Sequence, residues 1–240
     1  MNQSVQNIPL INLAIAMIPV IIVIGIHIKW ALEAKEAIYS ILRMLAQLLL
    51  IGYLLGFIFQ AEQISVLLAV LAIMLFSSSW IALRTVKHNR IQLYRSASIS
   101  IALGGGLSLI LILTGVLSLQ PWYEPRYMIP LAGMIFANSM TSISLAAERF
   151  QTELDRGASY VEARNIAFQA ALIPIINSMF AVGLVTLPGM MTGQILSGVS
   201  PLIAARYQIM IMFVIFGSAG ISVACFLSIS RNVFIKEKKL

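Results

Sequence analysis

Long apolar runs separated by short polar segments dominate the pattern along this chain. A lipid hydrocarbon core of roughly 30 Å needs about 20 helical residues, because a helix satisfies its own backbone hydrogen bonds in lipid. Seven runs are long enough, and they predict transmembrane helices at approximately 8–28, 38–59, 64–83, 97–119, 128–147, 177–198 and 203–229. The pattern therefore predicts an all-α, polytopic membrane protein with one transmembrane domain over residues 1–240.

The sixth run allows two starting points for its helix. Residues 166–187 are also apolar enough to enter a membrane, so the helix begins either near Ile166 or near Asn177. Pro174 favours the later start, because proline is tolerated in the first turn of a helix and disrupts the interior. We expect the residues before it to form an amphipathic helix on the cytoplasmic face.

The distribution of basic residues predicts the orientation. Of the 16 Lys and Arg residues, only Arg126 lies clearly in a loop on the outer side, while Arg43 and Arg206 lie within or at the ends of spans. Cytoplasmic loops of membrane proteins are enriched in Lys and Arg. We therefore expect the N-terminus outside and the C-terminus in the cytoplasm. The basic segment 84–95 is then a cytoplasmic loop that contacts lipid headgroups, and nucleic-acid binding is not expected.

Composition and motifs disfavour an enzyme. Apolar residues make up 60% of the chain and charged residues 10%. The sequence contains no P-loop, no HExxH zinc helix and no G-x-S-x-G elbow, and a single cysteine, Cys225, cannot form a thiolate metal cluster. Every acidic residue falls in a loop or at the edge of a span, which argues against a proton-coupled carrier. We predict no catalytic residue and no cofactor in this chain, so uphill transport would need energy from another subunit.

The longest polar stretch, residues 148–176, is predicted to be a cytoplasmic segment with a helix, a break and a second helix. Glu153 and Asp155 precede a Gly157-Ala158-Ser159 turn, and apolar residues recur at helical spacing after it. A short exposed helix between two spans suits docking to a soluble partner. A solvated connector without a partner has the same pattern.

Two groups of residues in the spans are candidates for a substrate path. One is a stripe in the fifth span at helical spacing, which contains Pro130, Met134, Asn138 and Thr141. The other surrounds a predicted helix interruption in the sixth span and contains Pro188, Gly189, Met190 and Gln194. Interrupted helices at the midplane often form transport sites, although a kink that only aids packing has the same sequence. The run Gly104-Gly105-Gly106 is expected to let another backbone approach closely.

Several strings resemble known transporter sequences. LDRGAS (154–159), followed by ALIP (171–174), looks like the cytoplasmic coupling loop of ATP-binding cassette (ABC) permeases. PLAGMIFANSM (130–140), GLVTLPGMMTGQILSG (183–198) and RYQIMIMF (206–213), in that order, resemble the FetB-type iron-export permeases, whose plant relatives are linked to aluminium tolerance. The resemblance covers nearly the whole chain.

The resemblance implies a permease subunit of an ABC transporter in the bacterial cytoplasmic membrane. Such a subunit would form a homodimer, work with two copies of a separate ATPase that binds ATP, and export iron or another metal. The coupling residues implied are Glu153, Asp155, Gly157, Ala158 and Ser159, while metal ligands stay unassigned. Two alternatives remain at this point: an ABC permease for a non-metal substrate such as a sugar nucleotide or a lipid, and a membrane scaffold that transports nothing.

Overall fold

The structure is a computed structural model that describes residues 8–59, 63–86 and 89–237. The sequence predicts a side of the membrane for each terminus, but residues 1–7 and 238–240 lie outside the described residues. Lys87 and His88 of the basic segment also lie outside them. The chain divides into two compact units, residues 1–61 and 62–240. Each unit is described by itself.

The first unit contains three helices: α1 (Leu10–Ile15), α2 (Ile18–Lys29) and α3 (Ala34–Ile58). The run predicted at 8–28 is therefore divided between α1 and α2. Pro19 falls in the first turn of α2, where a missing N–H removes no helical hydrogen bond. α2 packs against α3, and the apolar side chains of both helices are largely exposed, as expected of surfaces that face lipid.

The second unit begins with α4 (Ile64–Ala82) and α5 (Arg90–Ile101). The helix of α5 continues through a π-helical segment (Ala102–Gly106), α6 (Leu107–Ile110) and a second π-helical segment (Leu111–Val116). The second unit is completed by α7 (Pro125–Asp155), α8 (Tyr160–Ala181), α9 (Gly189–Leu196), α10 (Pro201–Ile229) and α11 (Arg231–Glu237). The predicted loop 84–95 is thus helical from Arg90 onward.

Helix α7 is the centre of the second unit and packs against α4, α8 and α10. Its buried residues recur every three or four positions, as in Ile135, Ser139, Ile143, Ala147 and Phe150. With 31 residues it is about 46 Å long at 1.5 Å per residue, which exceeds the ~30 Å lipid core. One end of α7 therefore extends beyond the membrane.

Six helical stretches have the length and hydropathy of a membrane span: Ile11–Lys29, Ala34–Ile58, Ile64–Ala82, Arg90–Val116, Pro125–Asp155 and Pro201–Ile229. They correspond to the first five predicted runs and the seventh. The protein is an all-α, multi-pass membrane protein.

The helix predicted over 177–198 is wrong as a single element. Helix α8 extends from Tyr160 to Ala181 straight through Pro174, the chain then turns, and α9 begins only at Gly189. The earlier of the two starting points was therefore closer, and no separate amphipathic helix precedes the span. Proline is tolerated inside α8 because neighbouring helices α7 and α10 support it on both sides.

Helix α8 runs antiparallel to both α7 and α10. At one end, Tyr160 donates a hydrogen bond from its hydroxyl to the Leu227 carbonyl (3.0 Å). At the other end, Ser178 lines a common cavity with Asn138 and Met212. Asn138 lies 13 residues after the start of α7, and Met212 lies 11 residues after the start of α10, so α8 ends well short of the starts of both helices. We therefore expect α8, the turn after it and α9 together to provide the sixth of the seven predicted crossings.

Helix α10 approaches the π-helical segment closely, as the glycine run predicts. A Cβ atom at Gly104 would lie 2.7 Å from the Ser218 carbonyl oxygen and 2.7 Å from the Ser222 nitrogen. Nearby, the buried hydroxyl groups of Ser222 and Ser139 are 3.3 Å apart and join α10 to α7. Small residues thus set the spacing of these helices.

Candidate functional site

The chain reverses direction between α7 and α8 in a tight turn, and we call residues 153–159 the elbow. Gly157 has a φ of +93°, a conformation that disfavours any side chain. Its N–H donates to the Leu154 carbonyl (3.0 Å), and the Ala158 N–H donates to the Glu153 carbonyl (3.1 Å), which satisfies the last carbonyls of α7. The Ser159 hydroxyl accepts a hydrogen bond from the Glu162 N–H (3.3 Å) and starts α8.

The two carboxylates predicted for coupling have different environments. Glu153 is 8% exposed, and its Oε1 lies 2.9 Å from a guanidinium nitrogen of Arg149 and 3.2 Å from one of Arg156. Asp155 is exposed and accepts a hydrogen bond from the Gln151 amide (3.1 Å). Glu153 therefore holds the end of α7 together, while Asp155 is available to a partner.

An aromatic cluster that the sequence analysis missed joins the elbow to the C-terminal helices. Its members are Phe150, Tyr160, Phe226 and Phe234, and the ring centroids are 5.7 Å apart for Phe150 and Tyr160, and 4.9 Å apart for Phe150 and Phe234. The guanidinium of Arg231 lies 4.9 Å from the centroid of the Tyr160 ring. These ring contacts pack the residues on both sides of the elbow, Phe150 and Tyr160, against α10 and α11.

Two of the predicted path residues line an open cavity of about 190 Å³ between α7, α8 and α10. The cavity is lined by Asn138, Thr141, Ser142, Pro174, Ile175, Ser178, Met212 and Ile215. Met134 is not in this lining, although its carbonyl oxygen accepts a hydrogen bond from the Asn138 amide (2.8 Å). The cavity is built from three helices, and its contributions from α8 and α10 were not predicted.

The second predicted group, Pro188, Gly189, Met190 and Gln194, does not line this cavity. Pro188 is the N-cap of α9 and does not interrupt a continuing helix. The preceding turn contains Gly183 at a φ of +84°, whose N–H donates to the Thr186 carbonyl (2.9 Å). α9 packs against α10, so this group stays a separate, untested candidate for the path.

The described residues 8–59, 63–86 and 89–237 contain no group of three or more His, Cys, Asp or Glu side chains placed to hold a metal ion. The polar side chains of the cavity are instead amides and hydroxyl groups. The oxygen atoms of these groups are neutral, and they suit hard cations and their hydration shells better than soft metals.

Comparisons with known proteins agree with this architecture. The profile of the family described as "Uncharacterised protein family (UPF0014)" matches residues 10–235. The chain is 35% identical over 234 residues to the "Probable iron export permease protein FetB" of Escherichia coli (strain K12), an alignment that covers 90% of this chain and 88% of that protein.

Two further relatives come from a cyanobacterium and a plant. The "UPF0014 membrane protein slr1647" of Synechocystis sp. is 36% identical over 82% of this chain and 83% of its own length. The "Protein ALUMINUM SENSITIVE 3" of Arabidopsis thaliana is 34% identical over 78% of this chain and 72% of its own length. No solved structure matches the chain. The chain belongs to the UPF0014 family of membrane proteins.

Proposed function

We propose that this chain is the permease subunit of an ABC transporter that exports iron or another metal, with energy from a separate ATPase. The observation that carries the proposal is the elbow, a helical reversal with a buried Glu153 on one side and an exposed Asp155 on the other. The name of the Escherichia coli relative supports iron as cargo and export as direction. Two copies of this chain with two ATPase subunits would form the working transporter.

The helices that meet at the elbow are also the helices that surround the cavity. α7 and α8 are joined by the elbow, and α10 is held to it by the hydrogen bond from Tyr160 to Leu227. Thr141 lies nine residues before Phe150 on α7, a distance of about 14 Å along the helix axis. A movement of the elbow driven by a docked ATPase would therefore change the shape of the cavity through rigid helices.

ATP hydrolysis is assigned to the partner chain. The proposal therefore requires that metal movement depend on both subunits. Export from the cytoplasm corresponds to uptake into inverted membrane vesicles, in which the cytoplasmic face is outside.

We expect inverted vesicles that contain this chain and its ATPase to accumulate radiolabelled iron when ATP is added. Vesicles with a hydrolysis-deficient ATPase should accumulate only background iron, because the transport cycle cannot turn over without hydrolysis. A matched preparation with the ATPase alone controls for adsorption. Equal accumulation with and without ATP, or with and without this chain, would contradict the proposed function.

A further inference from the structure

The cavity between α7, α8 and α10 is lined by hydrogen-bonding side chains that carry no charge. The Asn138 side-chain nitrogen donates one hydrogen to the Met134 carbonyl (2.8 Å), and the Thr141 hydroxyl donates to the Ala137 carbonyl (3.0 Å). The Asn138 amide oxygen and the lone pairs of Thr141 Oγ1 remain as acceptors, and the second hydrogen of the Asn138 amide remains as a donor.

The rest of the wall adds further oxygen atoms without adding charge. Ser142, which is 2% exposed, and Ser178 contribute hydroxyl groups, and the remaining lining side chains are apolar. Among the described residues that line it, the cavity therefore offers oxygen acceptors and a few hydroxyl and amide hydrogens, and no charge.

Neutral acceptors favour a ligand that presents hydrogen-bond donors on its surface. A bare divalent ion would lose its hydration without gaining a counter-charge, which is costly in a low-dielectric site. An anionic metal chelate would find no cationic side chain among the residues that line the cavity. A hydrated cation fits, because every water bound to the metal directs its hydrogen atoms outward.

The cavity has room for such a ligand, since its volume of about 190 Å³ far exceeds the roughly 10–15 Å³ that a single water needs. Small divalent ions that lose water reluctantly have octahedral first shells, which hold six ligands. We propose that the cavity binds a divalent metal ion that keeps its inner shell of water and is held through that shell by Asn138 and Thr141. The proposal rests on the proposed function for its choice of a metal as ligand.

Hexaamminecobalt(III) tests this inference because its six ammonia ligands do not exchange and can bind only through outward hydrogen atoms. The full chain in detergent, without the ATPase, is dialysed against radioactive Fe²⁺ under reducing conditions. We expect hexaamminecobalt(III) to displace the bound Fe²⁺. The double variant Asn138→Leu with Thr141→Val should weaken Fe²⁺ binding about tenfold or more, because acceptors for a charged ligand are lost.

Two matched variants separate the site from general effects on folding. Thr114→Val removes a hydroxyl that also donates to its own helix, at the Ile110 carbonyl (2.8 Å), and should leave binding unchanged. Thr141→Ser keeps the oxygen and should restore most of the binding lost in Thr141→Val. Fe²⁺ binding that hexaamminecobalt(III) does not displace, or that the double variant leaves intact, would overturn the inference.

The binding assay is independent of ATP-driven transport. A chain that binds Fe²⁺ in the cavity but supports no accumulation in vesicles would refute the proposed function and leave the site standing. A chain that supports accumulation but binds Fe²⁺ equally well in the double variant would refute the site alone. Preferential binding of an anionic iron citrate complex would also refute the site.

Discussion

Replacing Glu153 with alanine is expected to abolish ATP-dependent iron accumulation in inverted vesicles. The carboxylate lies between Arg149 and Arg156 at the end of α7, and its removal leaves two guanidinium groups next to each other without the shared counter-charge. The arginine side chains are 40% and 64% exposed, so solvent screens part of the repulsion and the loss of stability should be about 1–3 kcal/mol. This cost falls on the turn that we propose the ATPase moves.

A neighbouring acidic residue provides the control for Glu153. Glu148 is exposed and lies on the same helix, so Glu148→Ala removes an equal charge without removing the contacts to the two arginines. Accumulation of iron and the thermal unfolding temperature should stay near those of the unmodified chain. Glu153→Ala vesicles with undiminished ATP-dependent accumulation would show that the elbow does not transmit movement.

Replacing Gly104 with alanine is expected to prevent stable folding of the second unit. The new Cβ would lie 2.7 Å from the backbone of α10 at both Ser218 and Ser222, where no flexible side chain can move aside. Overpacking of this kind typically costs 1–3 kcal/mol and more where backbone must shift, so we expect about 3 kcal/mol or more. The measurement is the yield of monodisperse protein together with its thermal unfolding in detergent.

Gly106 offers a matched control in the same helical stretch. A Cβ there meets no atom within 4 Å, so Gly106→Ala should be neutral or slightly stabilising. The double variant Gly104→Ala with Ser222→Gly should rescue little, because the backbone contacts remain after the serine hydroxymethyl group is removed. Equal stability of Gly104→Ala and Gly106→Ala would mean that the two helices are further apart than described.

The long helices were predictable because a membrane span must be both long and apolar. Helix α8 was misplaced because its first half carries Glu162, Arg164 and Asn165, which lower its hydropathy, and because Pro174 suggested a boundary. Packing against α7 and α10 overrides both local tendencies. The apolar stretch after Ala181 suggested a helix that the turn at Gly183 breaks.

The turn at the elbow could be predicted from the sequence, whereas the cavity could be predicted only in part. The difference is how far apart in the sequence the contributing residues lie. The residues of the elbow lie within seven positions of one another, so a local pattern of acid, glycine and serine is enough to identify their turn. The aromatic cluster joins Phe150 to Phe234, and the cavity joins Asn138 to Ser178 and Met212, across helices whose register no single sequence specifies. The sequence carried one signal for the cluster. It was Phe234 in the RNVF string (231–234), which follows the last hydrophobic span and has no evident role there.

Part of the stripe predicted in the fifth span lines the cavity, and its role as a substrate path stays a prediction. Asn138 and Thr141 lie three residues apart on one face of α7 and both reach the cavity, as helical spacing requires. The prediction for Pro188, Gly189, Met190 and Gln194 assumed one helix that continued from residue 177. Helix α9 begins at Gly189 instead, so the spacing counted from residue 177 does not tell which of these side chains share a face. Helical spacing predicts which side chains share a face only where the helix is continuous.

The most direct test of the central claim is a cross-link between the elbow and the ATPase. In a Cys225→Ser background, Asp155→Cys places a thiol at an exposed elbow position, and Thr186→Cys places one at an exposed position in the turn after α8, at the opposite end of that helix. A short bifunctional reagent should join the ATPase to the chain through position 155 and not through position 186. Absence of the product at 155, or equal yields at both positions, would contradict the account.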